Sequence, residues 1–192
     1  TKSKQNVETL YVIIQYRRTK NMNVKSIKIL NFRNYVNEEI NLNEKINIIY
    51  GDNAQGKTNI LESIFICAFG KSFRAKKESE IIRIGETNAQ IILEYKNKDR
   101  EGIIKIDLSN KKTIIVNGVK LNKLSELLGK INVVLFTPDD IGILKNGPAY
   151  RRRFLDMMIG QIRPNYVYTL NLYLKTLEQR NACLRQIKKH EI

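Results

Sequence analysis

The chain has 192 residues, of which 42% are hydrophobic and 28% are charged, which suits one medium-sized domain or a domain with an appendage. No apolar run approaches the length of about 18 residues that spans a membrane, and no charged-then-apolar leader opens the chain, so we expect a soluble, cytoplasmic protein. With 34 Lys and Arg against 19 Asp and Glu, the formal net charge is +15, which predicts a polyanionic partner such as a nucleic acid.

The first 21 residues contain nothing typical of a functional site, and we predict that they are a non-native or weakly ordered extension. Alternation of apolar and polar residues at 24–32 and 36–42 predicts an antiparallel pair of strands. The apolar run at residues 46–50 predicts a third, buried strand that leads directly into the next segment.

A phosphate-binding loop follows that strand. Residues 51–58 match the pattern G-x-x-x-x-G-K-[S/T], and a helix is predicted from Lys57 to Ala68. Glycines at both ends let backbone N–H groups curl around phosphate oxygens, and the helix directs its positive end at the same charges. Lys57 is expected to reach the β- and γ-phosphates, and Thr58 to complete the coordination of Mg²⁺. The predicted nucleotide-binding residues are Gly51, Asp52, Asn53, Ala54, Gln55, Gly56, Lys57 and Thr58.

Beyond that helix, the sequence predicts an antiparallel β subdomain and then helices. Strands are predicted at residues 81–84, 89–95, 102–108 and 112–116, a type I′ turn at Asn117-Gly118, a short helix at residues 123–128 ending at Gly129, and a central buried strand at residues 131–136. Helices are predicted from Pro148 to about Ile162 and over residues 165–189. The apolar stripe of the last helix suits one arm of a coiled coil or, equally, packing against the domain's own sheet.

Basic residues are clustered in three places: Lys111 and Lys112 lie at a predicted turn, and two larger clusters lie after the phosphate-binding helix and near the start of the first C-terminal helix. The two larger clusters are Lys71, Arg74, Lys76 and Lys77, and Arg151, Arg152 and Arg153. Such side chains suit contacts with DNA phosphates, which position a nucleic acid without reading its sequence. The alternative is a solvated, lysine-rich surface.

The cysteine and histidine residues do not form a pattern typical of a disulfide, metal or catalytic site. Cys67 and Cys183 lie far apart in segments with helical patterns, which argues against a disulfide framework or a metal knuckle. The single histidine, His190, lies in a polar run. We therefore expect neither histidine-based catalysis nor a histidine-ligated metal.

Five segments occur together in one order: residues 30–35, 51–62, 70–74, 136–140 and 147–156. Through them, the chain from residue 22 onward resembles the N-terminal half of the RecF family of bacterial recombinational-repair ATPases. An SMC-type head or another ABC-class ATPase is the alternative, because the opening strands and phosphate-binding loops of these proteins look alike.

The resemblance implies an α/β fold. Residues 22–147 are expected to form part of a P-loop ABC-type ATPase head, with a mixed sheet and an antiparallel β subdomain, and residues 148–192 to begin a helical or coiled-coil lobe that is truncated here. It also implies ATP and Mg²⁺ as cofactors and an ATP-dependent homodimer. Its implied role is to bind single-stranded or gapped DNA and, with RecO- and RecR-like partners, to assist recombinase loading.

The resemblance also suggests further residues near the nucleotide. It implies that Arg33 or Asn34 borders the nucleotide, and that Asp139 or Asp140 lies in a loop that senses the metal or the attacking water. A helix N-cap is the alternative role for these aspartates.

One departure from the family pattern bears on catalysis. The sequence contains no Ser-Gly-Gly-like signature, no apolar strand ending in Asp-Glu and no switch histidine. Without the acidic pair no residue is placed to orient water for attack, so we expect ATP binding with little turnover. A basic nucleic-acid-binding module with a vestigial nucleotide site is a further alternative, and a metabolic P-loop kinase is disfavoured by the basic runs and the helical arm.

Overall fold

The computed structural model describes residues 11–14, 22–97, 100–137, 140 and 147–190. It divides into two compact units, Thr1–Leu127 and Leu128–Ile192. No helix within the described ranges is both long and apolar enough to cross a membrane.

Eight strands are described in the first unit: β1 (Tyr11–Ile14), β2 (Met22–Phe32), β3 (Tyr35–Asn41), β4 (Ile46–Ile49), β5 (Ala89–Asn97), β6 (Arg100–Leu108), β7 (Thr113–Val116) and β8 (Val119–Lys120). Six of them form one sheet in the order β3-β2-β5-β6-β7-β8, and β1 pairs with β4 in a separate two-stranded sheet. The predicted strands at 24–32, 36–42, 46–50, 89–95, 102–108 and 112–116 are therefore confirmed. The predicted burial of the strand at 46–50 is wrong, because Ile46, Ile48 and Tyr50 are all more than half exposed. Every pairing between described strands is antiparallel, so the parallel strands of the expected mixed sheet are not among them.

The alternation of side chains along the six-stranded sheet decides which face is buried. On β6, Ile104 and Ile106 are fully buried, whereas Ile103, which directly precedes Ile104, is 46% exposed. Ile106 lies opposite Ile91 on β5, and Ile104 lies opposite Leu93. These cross-strand pairs of branched apolar side chains form the middle of the core.

Helix α1 (Lys57–Phe69) packs on this buried face against β2, β5 and β6. It ends because Gly70 adopts a left-handed conformation, with φ 66°, and its N–H donates to the carbonyl of Ile66 at 2.7 Å. A Cβ atom at Gly70 would lie 2.1 Å from Leu124, so a larger residue does not fit there. Ring contacts between Phe65 and Phe69 add to the packing.

The hairpin turn between β7 and β8 has the predicted type I′ conformation. Asn117 and Gly118 both have positive φ, at 50° and 81°, as that turn requires. The Asn117 side chain also accepts a hydrogen bond from the N–H of Ile103 at 2.8 Å, which ties the turn to β6.

The strand predicted at residues 81–84 is wrong. Only Ile82 makes a strand-like bridge, to Phe32, and the N–H of Arg33 donates to the carbonyl of Ile81 beside it. Positive φ at Arg33 turns the chain away at this point, so the pairing cannot extend into a ladder.

The helix predicted at residues 123–128 is shorter than expected. The structure has a single 3₁₀ turn at Leu124–Glu126, in which the N–H of Leu127 donates to the carbonyl of Leu124 at 3.1 Å. Such i to i+3 bonds do not propagate well, and the segment therefore remains one turn long.

The buried central strand predicted at residues 131–136 is also wrong. Residues 131–136 carry no ladder, and Val134 and Phe136 are exposed. A side chain takes the place of a neighbouring strand at Val133: the N–H of Val133 donates to Oε1 of Gln161 at 2.6 Å, and Nε2 of Gln161 donates back to the carbonyl at 3.0 Å. One amide side chain satisfies the N–H and the carbonyl of one residue, but it cannot build a sheet.

The second unit contains the two predicted helices, α2 (Pro148–Ile162) and α3 (Pro164–His190), which pack against each other. Proline opens α2 at a position where its missing N–H is not needed. Gly160 allows α3 to approach closely, because a Cβ there would lie 2.7 Å from Val167. Several apolar side chains of α3 are exposed, namely Tyr168, Leu172, Tyr173, Leu174, Leu184 and Ile187.

Two adjacent isoleucines of β6 test this account of the core. We expect Ile104→Ala to lower the free energy of unfolding by about 2–5 kcal/mol, because it leaves a cavity among fully buried neighbours. Ile103→Ala is the matched control, and a surface substitution should cost about 0.5 kcal/mol or less. Urea denaturation of both variants measures the difference, and equal losses would contradict the assigned faces.

Candidate nucleotide-binding site

The loop at residues 51–58 connects β4 to α1 and has the conformation of a phosphate cradle. Gly56 precedes α1 with a left-handed φ of 98°. A Cβ atom there would lie 2.7 Å from the side chain of Asn34 and 2.9 Å from the hydroxyl of Tyr35. Glycine is therefore required at this position by both its backbone angle and its neighbours.

The ammonium group of Lys57 is folded over the start of the loop. Its Nζ donates to the carbonyl of Gly51 at 2.8 Å and to that of Asp52 at 2.6 Å, and the residue is only 7% exposed. These bonds hold the loop closed around the lysine. Both partners are neutral carbonyls, so the positive charge of Lys57 is not neutralised by them, and an anionic group can compete for the same donors.

An open pocket of about 150 Å³ lies in front of this loop. Its lining residues are Asn53, Ala54, Gly56, Lys57, Thr58, Asn59 and Arg74. The lining brings five of the eight predicted loop residues together with two residues that were not predicted to bind nucleotide. Small-molecule sites usually occupy about 300–1,000 Å³, so this pocket suits phosphate groups rather than an entire nucleotide.

A buried carboxylate lies behind the pocket. Glu62 on α1 is 0% exposed, and Arg33 forms a two-pronged ion pair with it, at 2.9 Å from Nε and 2.7 Å from Nη2. Arg74 donates to the same carboxylate at 3.0 Å and 2.6 Å, and the Ser72 hydroxyl donates at 2.5 Å. One carboxylate thus accepts bonds from the β2–β3 turn and from the segment after α1.

The charge state of Glu62 follows from these contacts. Burial raises the pKa of its carboxyl group, but the hydrogen bonds from Arg33, Arg74 and Ser72 outweigh burial and hold the pKa below its ordinary value. Glu62 is therefore ionised at neutral pH, and the two guanidinium groups supply the positive charge that a buried anion needs.

Arg33 and Asn34, one of which the resemblance implies to border the nucleotide, are not among the residues that line the pocket, and the implied role stays a prediction. The guanidinium of Arg33 is engaged by Glu62 and by the carbonyl of Glu80 at 2.6 Å, and it does not line the pocket. The side chain of Asn34 is hydrogen-bonded to the loop and to α1. Its Nδ2 donates to the carbonyl of Gln55 at 3.2 Å, and its Oδ1 accepts from the side chain of Asn59 at 2.6 Å.

Sequence reasoning assigned Arg74 to DNA contacts, but the structure places it in the wall of the pocket. Its guanidinium also donates to the side chain of Asn59. Glu62, Asn59 and Ser72 were not singled out at all. Glu62 carried a signal that could have been used, because an acidic residue in an otherwise apolar helix, followed by a segment rich in basic residues, predicts a buried ion pair.

The three lysines predicted to contact DNA lie together at a second pocket of about 110 Å³. Lys71, Lys76 and Lys77 line it with Lys112, whose ammonium donates to the carbonyl of Gly70 at 2.9 Å and pairs with Glu78. The fold thus places Lys112, from the separate basic pair at residues 111–112, beside the cluster that follows α1.

The remaining predicted residues lie in the second unit. Asp140 accepts hydrogen bonds from the Thr137 N–H at 2.5 Å and the Thr137 hydroxyl at 2.9 Å, so it closes a local turn. Asp139 lies outside the described residues. Arg151, Arg152 and Arg153 are exposed on the first turns of α2. The roles predicted for these residues stay predictions.

Comparisons with known proteins agree on one family. Residues 26–189 match the family described as AAA domain. The DNA replication and repair protein RecF of Clostridium acetobutylicum is 49% identical over 169 residues, which cover 87% of this chain and 47% of that protein. The chain thus spans about half the length of the curated relatives it matches.

Solved structures show the same likeness. The recombination mediator protein RecF-ATPrS of the RecFOR pathway has a TM-score of 0.79 and 37% identity, covering 88% of this chain and 46% of that one. The corresponding RecF-ATP structure has a TM-score of 0.76 and 36% identity, covering 88% and 47%. The resemblance found in the sequence, and with it the α/β P-loop ATPase head, is confirmed.

The Glu62 network makes a prediction about stability. We expect Glu62→Gln to lower the free energy of unfolding at neutral pH by about 3 kcal/mol, the lower end for a broken buried ion pair, because both arginines retain some solvent contact. Glu78→Gln is the matched control, since it breaks only the exposed pair with Lys112 and should cost about 0–1 kcal/mol.

The same network gives a pH dependence. Because the pKa of Glu62 is lower in the folded than in the unfolded chain, its contribution is fully present above the unfolded pKa and is lost as the pH falls through the folded pKa. The stability difference between the unsubstituted chain and Glu62→Gln should therefore shrink on acidification. Urea denaturation from neutral to acidic pH measures it, and a difference that does not change with pH would contradict the ionised, paired carboxylate.

Proposed function

Because the chain belongs to the AAA-domain family and is homologous to RecF, we propose that residues 51–58 bind the phosphates of ATP. The observation that carries this proposal is the pocket in front of the loop, where the Lys57 ammonium, the N-terminus of α1 and Arg74 converge on a space of phosphate size. Lys57 would exchange its bonds to the Gly51 and Asp52 carbonyls for bonds to phosphate oxygens, which are stronger because they join opposite charges.

We propose Thr58 as the protein ligand of the Mg²⁺ that accompanies ATP. Mg²⁺ keeps several waters and takes phosphate oxygens with only one or two protein ligands, so a single hydroxyl beside the phosphate pocket fits it. The described residues hold no cluster of His, Cys, Asp or Glu for a metal, which is in keeping with an ion that arrives with its nucleotide. The bound ion would neutralise phosphate charge.

DNA is the partner that the charge distribution favours. The net charge of +15 includes the lysines of the second pocket and the exposed arginines at the start of α2. We propose that these side chains contact DNA phosphates, and that the protein acts at single-stranded or gapped DNA in recombinational repair. RecO- and RecR-like partners, recombinase loading, an ATP-dependent homodimer and a cytoplasmic location belong to the same proposal.

We propose that this chain by itself has little catalytic activity. The sequence lacks the acidic pair that would orient the attacking water, and Glu62 is fully engaged by two arginines and a serine. A paired, buried carboxylate with a lowered pKa is a poor general base. We therefore propose ATP binding with little turnover.

A single substitution tests the nucleotide site. We expect Lys57→Ala to weaken the binding of fluorescent ATP in the presence of Mg²⁺ by about 10–100-fold, the cost of losing charged hydrogen bonds to phosphate. Lys105→Ala, which removes a lysine of β6 that does not line the pocket, should bind like the unsubstituted chain. Circular dichroism confirms that each variant is folded. Equal affinities for both variants would contradict the proposed site.

A second experiment separates nucleotide-dependent DNA binding from a constitutive basic module. We expect DNA affinity to rise with Mg-ATP and Lys57→Ala to abolish the rise. The double variant Lys76→Glu and Lys77→Glu should weaken binding and make the logarithmic salt dependence less steep by up to about 2.

The control for the second experiment is Lys28→Glu with Lys105→Glu, which changes net charge equally on the sheet. Fluorescence anisotropy at several salt concentrations measures affinity and slope for both double variants. Affinity that ignores nucleotide would favour the basic module, and equal losses in the two double variants would contradict a localised DNA site.

A further inference from the structure

The second pocket, formed by the end of α1, the segment after it and the end of β6, differs from the phosphate pocket in the chemistry of its walls. Apart from one alanine and one glycine, the phosphate pocket is lined by polar and charged side chains. The second pocket has an apolar floor as well as lysines, and that floor consists of Ile66, Ile81 and Leu108. Such walls suit a ligand that carries both an apolar face and negative charge.

The floor and one wall of the second pocket are held in place by the fold. The three floor residues are each no more than 3% exposed, and such closely packed side chains cannot shift to fill the pocket. In the wall, Nζ of Lys112 donates to the carbonyl of Gly70 at 2.9 Å and pairs with Glu78. The pocket is therefore formed before a ligand arrives, which lowers the cost of binding one.

Positive charge surrounds the opening of this pocket. Lys71, Lys76 and Lys77 line it and are exposed. Glu78 is the one acidic residue in the lining, and it is already paired with Lys112. The alkyl stems of the lysines extend the apolar surface, while their ammonium groups remain in water. The opening therefore attracts anions, and the interior accepts an apolar ring.

We propose, on the basis of the DNA contacts proposed above, that the second pocket receives one unpaired pyrimidine base of single-stranded DNA while the lysines at its opening bind the flanking phosphates. Its volume is about 110 Å³, and a protein cavity of about 150 Å³ holds a benzene ring. The pocket thus suits the single ring of a pyrimidine better than the fused rings of a purine, and it has no room for a base pair.

A base pocket would give the lysine cluster a preference that phosphate contacts alone do not supply. Contacts with phosphates position a nucleic acid but do not depend on its bases. A base within a duplex must be unpaired and unstacked before it can enter a pocket, whereas a base of a single strand is already unpaired. The lysines would therefore bind both forms of DNA, and the pocket would favour the single strand.

Filling the pocket without changing its charge tests the base site. Ala75→Leu adds an apolar side chain at a partly exposed lining position. Ala182→Leu is the matched control, because it makes the same change at an exposed position of α3 that does not line the pocket. Fluorescence anisotropy with Mg-ATP present measures the binding of oligothymidine, of an abasic oligomer of the same length and of duplex DNA.

The unsubstituted chain and Ala182→Leu should bind oligothymidine about tenfold more tightly than the abasic oligomer, which carries the same phosphates without bases. Ala75→Leu should bind these two oligomers equally and should bind duplex DNA like the unsubstituted chain, because its lysines are retained. Equal affinities of the unsubstituted chain for the two oligomers would overturn the base pocket. So would an Ala75→Leu variant that keeps the difference between them, or that loses abasic and duplex binding to the same extent.

Photocrosslinking of the unsubstituted chain gives a test that needs no variant. Oligothymidine that carries a single 5-iodouracil should form adducts within residues 66–81 or 108–112, and adducts confined to other segments would overturn the base pocket. A chain that binds neither single-stranded nor duplex DNA would overturn the proposed DNA contacts and the pocket together. Duplex binding without any dependence on bases would overturn the pocket alone.

Discussion

The ionised carboxylate of Glu62 is the constraint on which the site depends. It is buried in α1, and a buried anion without partners would cost several kcal/mol, so the fold must bring cations to it. Arg33 arrives from the β2–β3 turn and Arg74 from the segment after α1. Two stretches distant in sequence are thereby fixed to the helix whose N-terminus faces the phosphate pocket. The ion pair with Glu62 therefore fixes the position of Arg74, which forms one wall of that pocket.

The antiparallel sheet shapes the loop through the same turn. Asn34 follows Arg33, and its side chain bonds both the loop carbonyl of Gln55 and the side chain of Asn59. The approach is so close that only glycine fits at position 56. The conformation of the phosphate-binding loop therefore depends on α1, on the β2–β3 turn and on the left-handed glycine together, and not on the octapeptide alone.

The sequence predicted features whose cause is local. The loop motif, α1, the Asn117-Gly118 turn and the two C-terminal helices depend on residues close together in the chain, and the structure contains them. Residues 131–136 were misjudged because an apolar run shows a capacity for pairing but not whether a partner is present. The convergence on Glu62 was missed for the same reason: Arg33 was expected near a nucleotide and Arg74 on DNA, and only the fold shows both beside one carboxylate.

The two sides of the loop differ in how firmly they are held. Its C-terminal side enters α1, which is packed on the sheet and tied by the Glu62 ion pairs, whereas its N-terminal side continues from β4, which is held only by the short ribbon with β1 among described strands. Local openings occur where buried contacts are few, so β4 should move before α1 does. Lys57 bridges the two sides, since it extends from α1 to the carbonyls of Gly51 and Asp52. A phosphate bound by Lys57 would therefore compete with the hydrogen bonds that join the two sides of the loop.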